Sequence, residues 1–336
     1  MAWYEVSGKD SDVVFSSRIR LARNLSGYPF EEGLTTAAAR EILNRIGTAL
    51  GADFTREDLE GAPALRVQSL VEQHEISPAF AAKKTPHALF TDEKRSLYLM
   101  GLEEDHIRLQ CLLPGLALSD AYRLAREADR KLAAQLPIAF DREFGYLTHC
   151  PTNLGTGLRA SVMLFLPALS SGGYMEDLSA RLSQIGLTVR GLYGEGSRAD
   201  GCLYQISNQV TLGVSEESIL NKLEESVRSV IKKERALRNA VRGEAAAARE
   251  DRICRAEGIA RYATRMSAKE FFSLFADLKL GVFLGLVTSL SDTALDALLI
   301  KSLPATLSLS GHLSENSAGA RDALRAKLIK QTIEGE

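Results

Sequence analysis

Over the first two thirds of the chain, short apolar segments alternate with Gly, Pro, Asn and Asp. Where apolar and polar residues alternate with period two, the pattern predicts strands: Asp105–Leu113, Leu158–Leu166, Leu187–Tyr193 and Leu203–Leu212. Helical periodicity lies between them. Thr36 is placed to cap a helix over Ala37–Leu50, and Ser119 one over Asp120–Leu136, since a hydroxyl there accepts from unpaired N–H groups. Ser215, with Ser218 and the run Ile219–Val230, opens a longer helix. Residues 216–300 are rich in Ala, Leu, Glu, Arg and Lys, and Glu244–Arg249 is a strong helix former. A last helix is expected over Ala318–Ile333. The order of elements predicts an α+β domain followed by an all-α domain, with the junction near residues 235–245.

Composition narrows this picture. A length of 336 residues suits about two domains at roughly 150 residues each. Lys plus Arg is 41 against 43 Asp plus Glu, a net charge of −2, which excludes a wholly basic nucleic-acid binder. Met1–Asp12 lacks the apolar core of a secretory signal. The most apolar stretch, Leu278–Leu290, contains Lys279 and falls short of the ~20 residues that span a bilayer. Cys111, Cys150, Cys202 and Cys254 form no CxxC pair, which disfavours a zinc site or disulfide framework. The expectation is a cytoplasmic protein that binds neither membrane nor nucleic acid directly. Arginine outnumbers lysine 28 to 13, and its planar fork suits phosphate and carboxylate.

The sequence has no GxxxxGK[ST], HExxH, HRD or DFG. Gly155–Ala160 matches GxGxxA only loosely, because Cys150–Asn153 precedes it and a strand-like alternation follows. The informative pattern is arginine at period two. An extended chain puts Ser16, Arg18 and Arg20 on one face. It likewise aligns Glu104, His106, Arg108 and Gln110, and separately Arg159 with Ser161. Arg190 opens the glycine-containing stretch Arg190–Glu195. Any one of these arginines would suit the solvated side of a half-exposed sheet. Five of them clustered require anions, and a polyphosphate supplies these. Glu104 and Glu195 are then placed to grip and deprotonate a guanidine, with the Cys150 thiolate nearby.

At these residues the chain resembles the guanidino (phosphagen) kinases, and most closely the bacterial protein-arginine kinases. Cys150–Thr156 is similar to the superfamily signature around the reactive cysteine. The resemblance implies an antiparallel sheet flanked by helices over residues 13–237, followed by a helical domain over 238–336. It implies ATP binding by Ser16, Ser17, Arg18, Ile19, Arg20, His74, Arg108, Arg159, Ala160, Ser161, Val162, Met163, Arg190, Gly191, Leu192, Tyr193, Gly194 and Glu195. Glu104, Glu195 and Cys150 become the catalytic group. Mg2+ is held mainly through the nucleotide, with no protein metal ligand. Small-guanidine kinases carry a helical lid ahead of the catalytic domain. Only 15 residues precede Ser16 here, which suggests a site open to arginine on a protein.

The stretch Arg321-Asp322-Ala-Leu-Arg325-Ala326 matches the RDxxRA element that binds phosphoarginine in protein-arginine kinases. Arg321 and Arg325 are i,i+4 neighbours on a helix. The implied activity is ATP-dependent phosphorylation of arginine in proteins, marking them for a Clp-type unfoldase and protease, with an activator protein as a further partner. A kinase for free arginine and a non-catalytic phosphoarginine adaptor are the alternatives. The helical domain suits either a homodimer or a monomer's core. Arg198, Asp200 and Phe165 depart from the family pattern.

Overall fold

The computed structural model describes residues 2–191, 200–313 and 317–335. In chain order its elements begin β1 (Val14–Arg23), α1 (Thr36–Leu50), β2 (Phe54–Asp58), α2 (Ala64–Glu72), α3 (Pro78–Ala81), β3 (Ala88–Asp92), β4 (Leu97–Gly101), β5 (Ile107–Pro114) and α4 (Leu118–Ala133). A small hairpin, β6 (Phe140–Asp141) and β7 (Gly145–Tyr146), precedes β8 (Leu158–Phe165), α5 (Pro167–Ser171), α6 (Met175–Gln184), β9 (Leu187–Gly191) and β10 (Leu203–Asn208). Six helices follow: α7 (Glu216–Ala240), α8 (Gly243–Tyr262), α9 (Ala268–Leu284), α10 (Asp292–Lys301), α11 (Pro304–Ser310) and α12 (Ala318–Glu334).

Eight strands form one sheet in the order β2-β3-β4-β5-β1-β8-β10-β9, and every neighbouring pair is antiparallel. The expected α+β architecture with trailing helices is present. One face carries Ile19, Leu21, Leu109, Cys111, Ala160, Val162, Leu164 and Ile206, all buried against α1, α4, α6 and α7. The opposite face changes character along its strands. Arg18, Arg20, Arg108, Arg159 and Ser161 occupy one half. Leu112, Met163, Phe165 and Leu203 occupy the other, buried in a common cluster with Phe271, Phe275 and Leu278 of α9 and Leu299 of α10. The helices after α7 therefore share a core with the sheet. Among the described residues no helix is long and apolar enough to cross a membrane.

Local chemistry explains where elements differ from expectation. Helix α4 starts at Leu118, ahead of Ser119, because the buried Ser17 hydroxyl accepts from Ala117 N at 2.9 Å and donates to Gly115 O at 2.8 Å. That cap comes from a distant strand and has no local sequence signal. Strand β10 stops at Asn208, whose side-chain amide turns back to Leu158 O and Val210 O. Strand β5 starts at Ile107, not Asp105, since Leu102 adopts φ +65° and closes a tight turn on His106 O. Strands β2 to β4 escaped the period-two reading; Phe54–Asp58, at the sheet edge, is largely polar, as an edge strand permits.

Candidate active site

Strand register assembles the site. Arg20 lies opposite Gln110 on β5 and Arg159 on β8, while Arg18 lies opposite Ser161, and Ser161 opposite Ser207 on β10. Gln205 of β10 faces Arg190 of β9. Directly opposed residues in an antiparallel sheet project from the same face, so five strands contribute to one cationic surface. Arg18 donates to Gln205 Oε1 at 2.7 Å and to Ser161 Oγ at 3.4 Å, and Arg159 donates to Ser207 Oγ at 3.4 Å. Gln205 and Ser207 were missed in the sequence, although their alternation within Leu203–Asn208 carries the same period-two signal.

These guanidinium groups are short of anions. The Nε atoms of Arg20 and Arg159 are buried and bond to nothing in the protein. Burial, followed by repulsion from Arg108 and Arg159, lowers the Arg18 pKa to about 10. Arg20 is pushed well down by burial and by Arg18, Arg108 and Arg159, with Glu103 only partly offsetting them. Arg159 is lowered by burial and then by Arg190 and Arg108. Such charges are costly to bury unless a ligand supplies compensating negative charge.

Glu104 and Arg108 lie on the boundary of two cavities. The first, about 170 Å³, is lined by Arg20, Glu104, Arg108, Cys150, Thr152, Asn153 and Arg159 among others. The second, about 410 Å³, is lined by Glu31, Glu32, Lys83, Glu103, Glu104, Arg108, Ala79 and His149. A cavity lined by arginines and one lined by glutamates therefore adjoin at Glu104. Among the described residues its carboxylate has no partner. Glu103, by contrast, is held by Arg108 at 2.5 Å and Ser77 Oγ at 2.5 Å. The Cys150 loop is fixed from both sides. Thr211 Oγ1 donates to Thr152 O at 2.9 Å and Leu154 O at 2.7 Å. Asp105 accepts from His149 N at 2.8 Å and Asn24 Nδ2 at 2.6 Å, tying the Glu104 turn to the Cys150 loop. Cys150 Sγ lies 3.0 Å from Thr152 Oγ1.

The other expected site residues separate into groups. Ser16 and Met163 share the arginine face, with Met163 at its apolar end. Ser17, Ile19, Ala160 and Val162 have buried side chains on the opposite side of the sheet, which limits them to backbone contact with the arginine face. His106 does not join Arg108 and Gln110, a correction to the strand-face expectation. The Leu102 turn moves it off the strand, where its ring accepts from Leu25 N and approaches Pro29 O at 2.9 Å. His74 adopts φ +61°, its carbonyl accepts from Gln110 Nε2 at 2.8 Å, and burial and Arg18 push its pKa down to about 3, so the ring is neutral. Gly191 ends β9; Leu192, Tyr193, Gly194, Glu195 and Arg198 lie outside the described residues, as does the Asp200 side chain. Phe165 is fully buried against Phe275, at 6.2 Å between ring centroids, in the core shared with α9.

The RDxxRA element lies on α12, away from the cradle. Arg325 is 1% exposed and donates to Ser302 O, Met266 O and Asp322 Oδ1. It holds α12 to its neighbours, and Ala326 is buried beside it. Arg321 lines a cavity of about 470 Å³ with Leu65, Gln68, Glu72, Pro304 and Ser308. Of the two i,i+4 arginines, Arg325 is buried and Arg321 lines that cavity.

Comparison with known proteins agrees with this geometry. The family model "ATP:guanido phosphotransferase, C-terminal catalytic domain" matches residues 40–237, and "Protein-arginine kinase McsB C-terminal domain" matches residues 247–336. The chain belongs to the ATP:guanido phosphotransferase family and is a kinase. Its relatives include the protein-arginine kinases of Desulforamulus reducens, 41% identical over 98% of this chain and 95% of the relative, and of Syntrophomonas wolfei, 42% identical over 99% and 95%. Among solved structures, lombricine kinase matches with a TM-score of 0.61 and 27% identity over 70% of each chain. A duplicated taurocyamine kinase from Schistosoma mansoni with bound transition-state analogue components matches with a TM-score of 0.62 and 26% identity, over 79% of this chain and 40% of that one.

Proposed function

We propose that the protein transfers the γ-phosphoryl group of ATP to the guanidinium of arginine side chains in proteins. The single observation that carries this reading is the shared wall of the two cavities. A cationic cradle with unpartnered guanidinium nitrogens adjoins an acidic cavity, and Glu104 borders both. Arg18, Arg20, Arg108, Arg159 and Arg190 bind the phosphates, and His74 contacts the nucleotide. Ser16, Ser17, Ile19, Ala160, Val162, Met163 and Gly191 join them in nucleotide binding in this reading, as do Leu192, Tyr193, Gly194 and Glu195, which lie outside the described residues. A guanidinium is a poor nucleophile while protonated. Glu104 aligns it and accepts a proton as a guanidine nitrogen attacks the γ-phosphorus. The bond from phosphorus to the bridging oxygen breaks, ADP leaves with that electron pair, and a P–N bond forms. Glu195 grips the same guanidinium, and Cys150 lies beside it. Most of the acceleration in such a reaction comes from positioning and charge stabilisation.

Among the described residues no group of three or more His, Cys, Asp or Glu is placed to hold a metal. In this reading Mg2+ would be held mainly through the nucleotide and would supply positive charge beside the phosphates. The phosphorylated proteins are marked for a Clp-type unfoldase and protease, an activator protein being a further partner, and Arg321, Asp322, Arg325 and Ala326 form the phosphoarginine-binding element. Incubation with ATP, Mg2+ and casein is expected to give acid-labile phosphate on arginine, mapped under conditions that preserve P–N bonds. Transfer to free arginine alone supports the small-guanidine alternative. No transfer to protein arginine by folded enzyme, with or without an activator, excludes this reading.

A further inference from the structure

The acidic cavity holds more unpaired charge than one phosphoryl transfer uses. Two of its four carboxylates are neutralised within the protein: Glu31 pairs with Lys83 at 2.5 Å and Glu103 with Arg108 at 2.5 Å. Glu104 and Glu32 remain without partners among the described residues. Glu32 is exposed on the 3-10 turn Glu31–Gly33. Beside that turn, the rings of Phe30 and His149 lie 5.4 Å apart with a 32° tilt. Independently, Arg20 and Arg159, whose Nε atoms have no partner, line the smaller cavity, which takes the phosphoryl group in the proposed reading. The acceptor must then approach across the wall formed by Glu104 and Arg108, which is the acidic cavity. At about 410 Å³ this cavity is in the size range that takes whole small-molecule ligands, more than one guanidinium fills.

We infer that this cavity reads two cationic groups of one polypeptide, the target guanidinium at Glu104 and a neighbouring Lys or Arg side chain at Glu32. The inference rests on the reading of protein arginine as acceptor, and it makes Glu32 a specificity-determining residue. Because Glu32 is exposed, its pair with a substrate cation changes KM by up to about 5-fold, the scale of one surface ion pair. The preference weakens at high salt.

The test uses the full chain and three peptides with one target arginine, flanked by Lys, Gln or Glu. Turnover with ATP and Mg2+ gives kcat and KM, and calorimetry without nucleotide gives binding. The wild type is expected to favour the lysine peptide over the glutamine peptide about 3- to 5-fold, through KM rather than kcat. The ratio falls to near one in Glu32→Gln, persists in part in Glu32→Asp, and inverts toward the glutamate peptide in Glu32→Lys. The same ratio in the wild type, E32Q and E32K overturns the subsite. If no peptide is phosphorylated with or without an activator, the reading of protein arginine as acceptor fails by itself; the binding ratios then decide the subsite, and equal ratios in all variants overturn it.

Discussion

At the scale of single residues, the site is defined by groups the fold leaves unsatisfied. Arg20 contributes a buried Nε with no protein partner beside three other guanidinium groups. In Arg20→Met a side chain of similar reach removes one uncompensated charge. The apo protein is expected to melt higher, by about 2–4 °C for each kcal/mol recovered in a mid-sized domain, while turnover is lost. A differential melting scan with and without ATP checks both sides. The wild type gains stability from nucleotide, about 2.7 kcal/mol at a hundredfold excess over Kd, and the variant gains little. A lower apo melting temperature would contradict this account of the cradle. Glu104 differs in kind, being an unpartnered carboxylate between two cavities. Glu104→Gln keeps the shape and removes the proton acceptor. A fall in kcat of about 10²–10⁴ with ATP affinity retained is expected from steady-state kinetics and nucleotide titration.

At the scale of elements, the contact between α9 and α10 stores an electrostatic imbalance. Lys279 is fully buried, with Nζ 2.6 Å from Asp292 and 2.5 Å from Asp296. Phe15, Phe165, Phe275 and Phe283 surround its ammonium at 5.5–6.0 Å. One ammonium faces two carboxylates, and Asp292 Oδ2 has no partner. Burial raises the Asp296 pKa to about 7, with Lys279 opposing and Asp292 reinforcing the rise. The folded protein thus keeps a proton that the unfolded chain releases from about pH 4 upward. Stability contributed by this group is lost as pH rises toward 7. Asp296→Asn keeps the Lys279–Asp292 pair and removes the excess charge. Its melting temperature is expected to exceed the wild type's at pH 8 and to approach it at pH 5; a constant difference across that range contradicts the assignment.

Much of the cradle was legible because period-two alternation alone placed Arg18 with Arg20 and Arg159 with Ser161. The meeting of β1, β5, β8, β9 and β10 was not, because register depends on contacts far apart in sequence. The Ser17 cap on α4 was hidden for the same reason. So was the burial of Arg325, whose partners Met266 and Ser302 lie in the connections between α8 and α9 and between α10 and α11. The Leu102 turn that detaches His106 is local but puts a leucine at positive φ, which carries no turn signature.

At the scale of the whole molecule, the chain divides in composition near residue 240 but not in packing. Leu112, Met163, Phe165 and Leu203 of the sheet are covered by α9 and α10. A fragment ending at Ala240 exposes them as one apolar patch and is expected to aggregate or bind a hydrophobic dye. A soluble, monomeric, dye-free fragment would show that the sheet face does not need its cover. Within the full chain, Phe275→Ala costs about 3–5 kcal/mol and lowers one cooperative melting transition rather than splitting it in two. Strand β8 is where these dependencies meet. Arg159 and Ser161 belong to its cationic end and Met163 and Phe165 to its packed end, on the same face. Arg159 and Met163 stand four positions apart, about 13 Å of strand. A chimera joined at the seam after Ala240 would keep every catalytic residue and still inherit mismatched helices. Recombination that respects this molecule must carry the alternate residues of one strand along with the helices that read them.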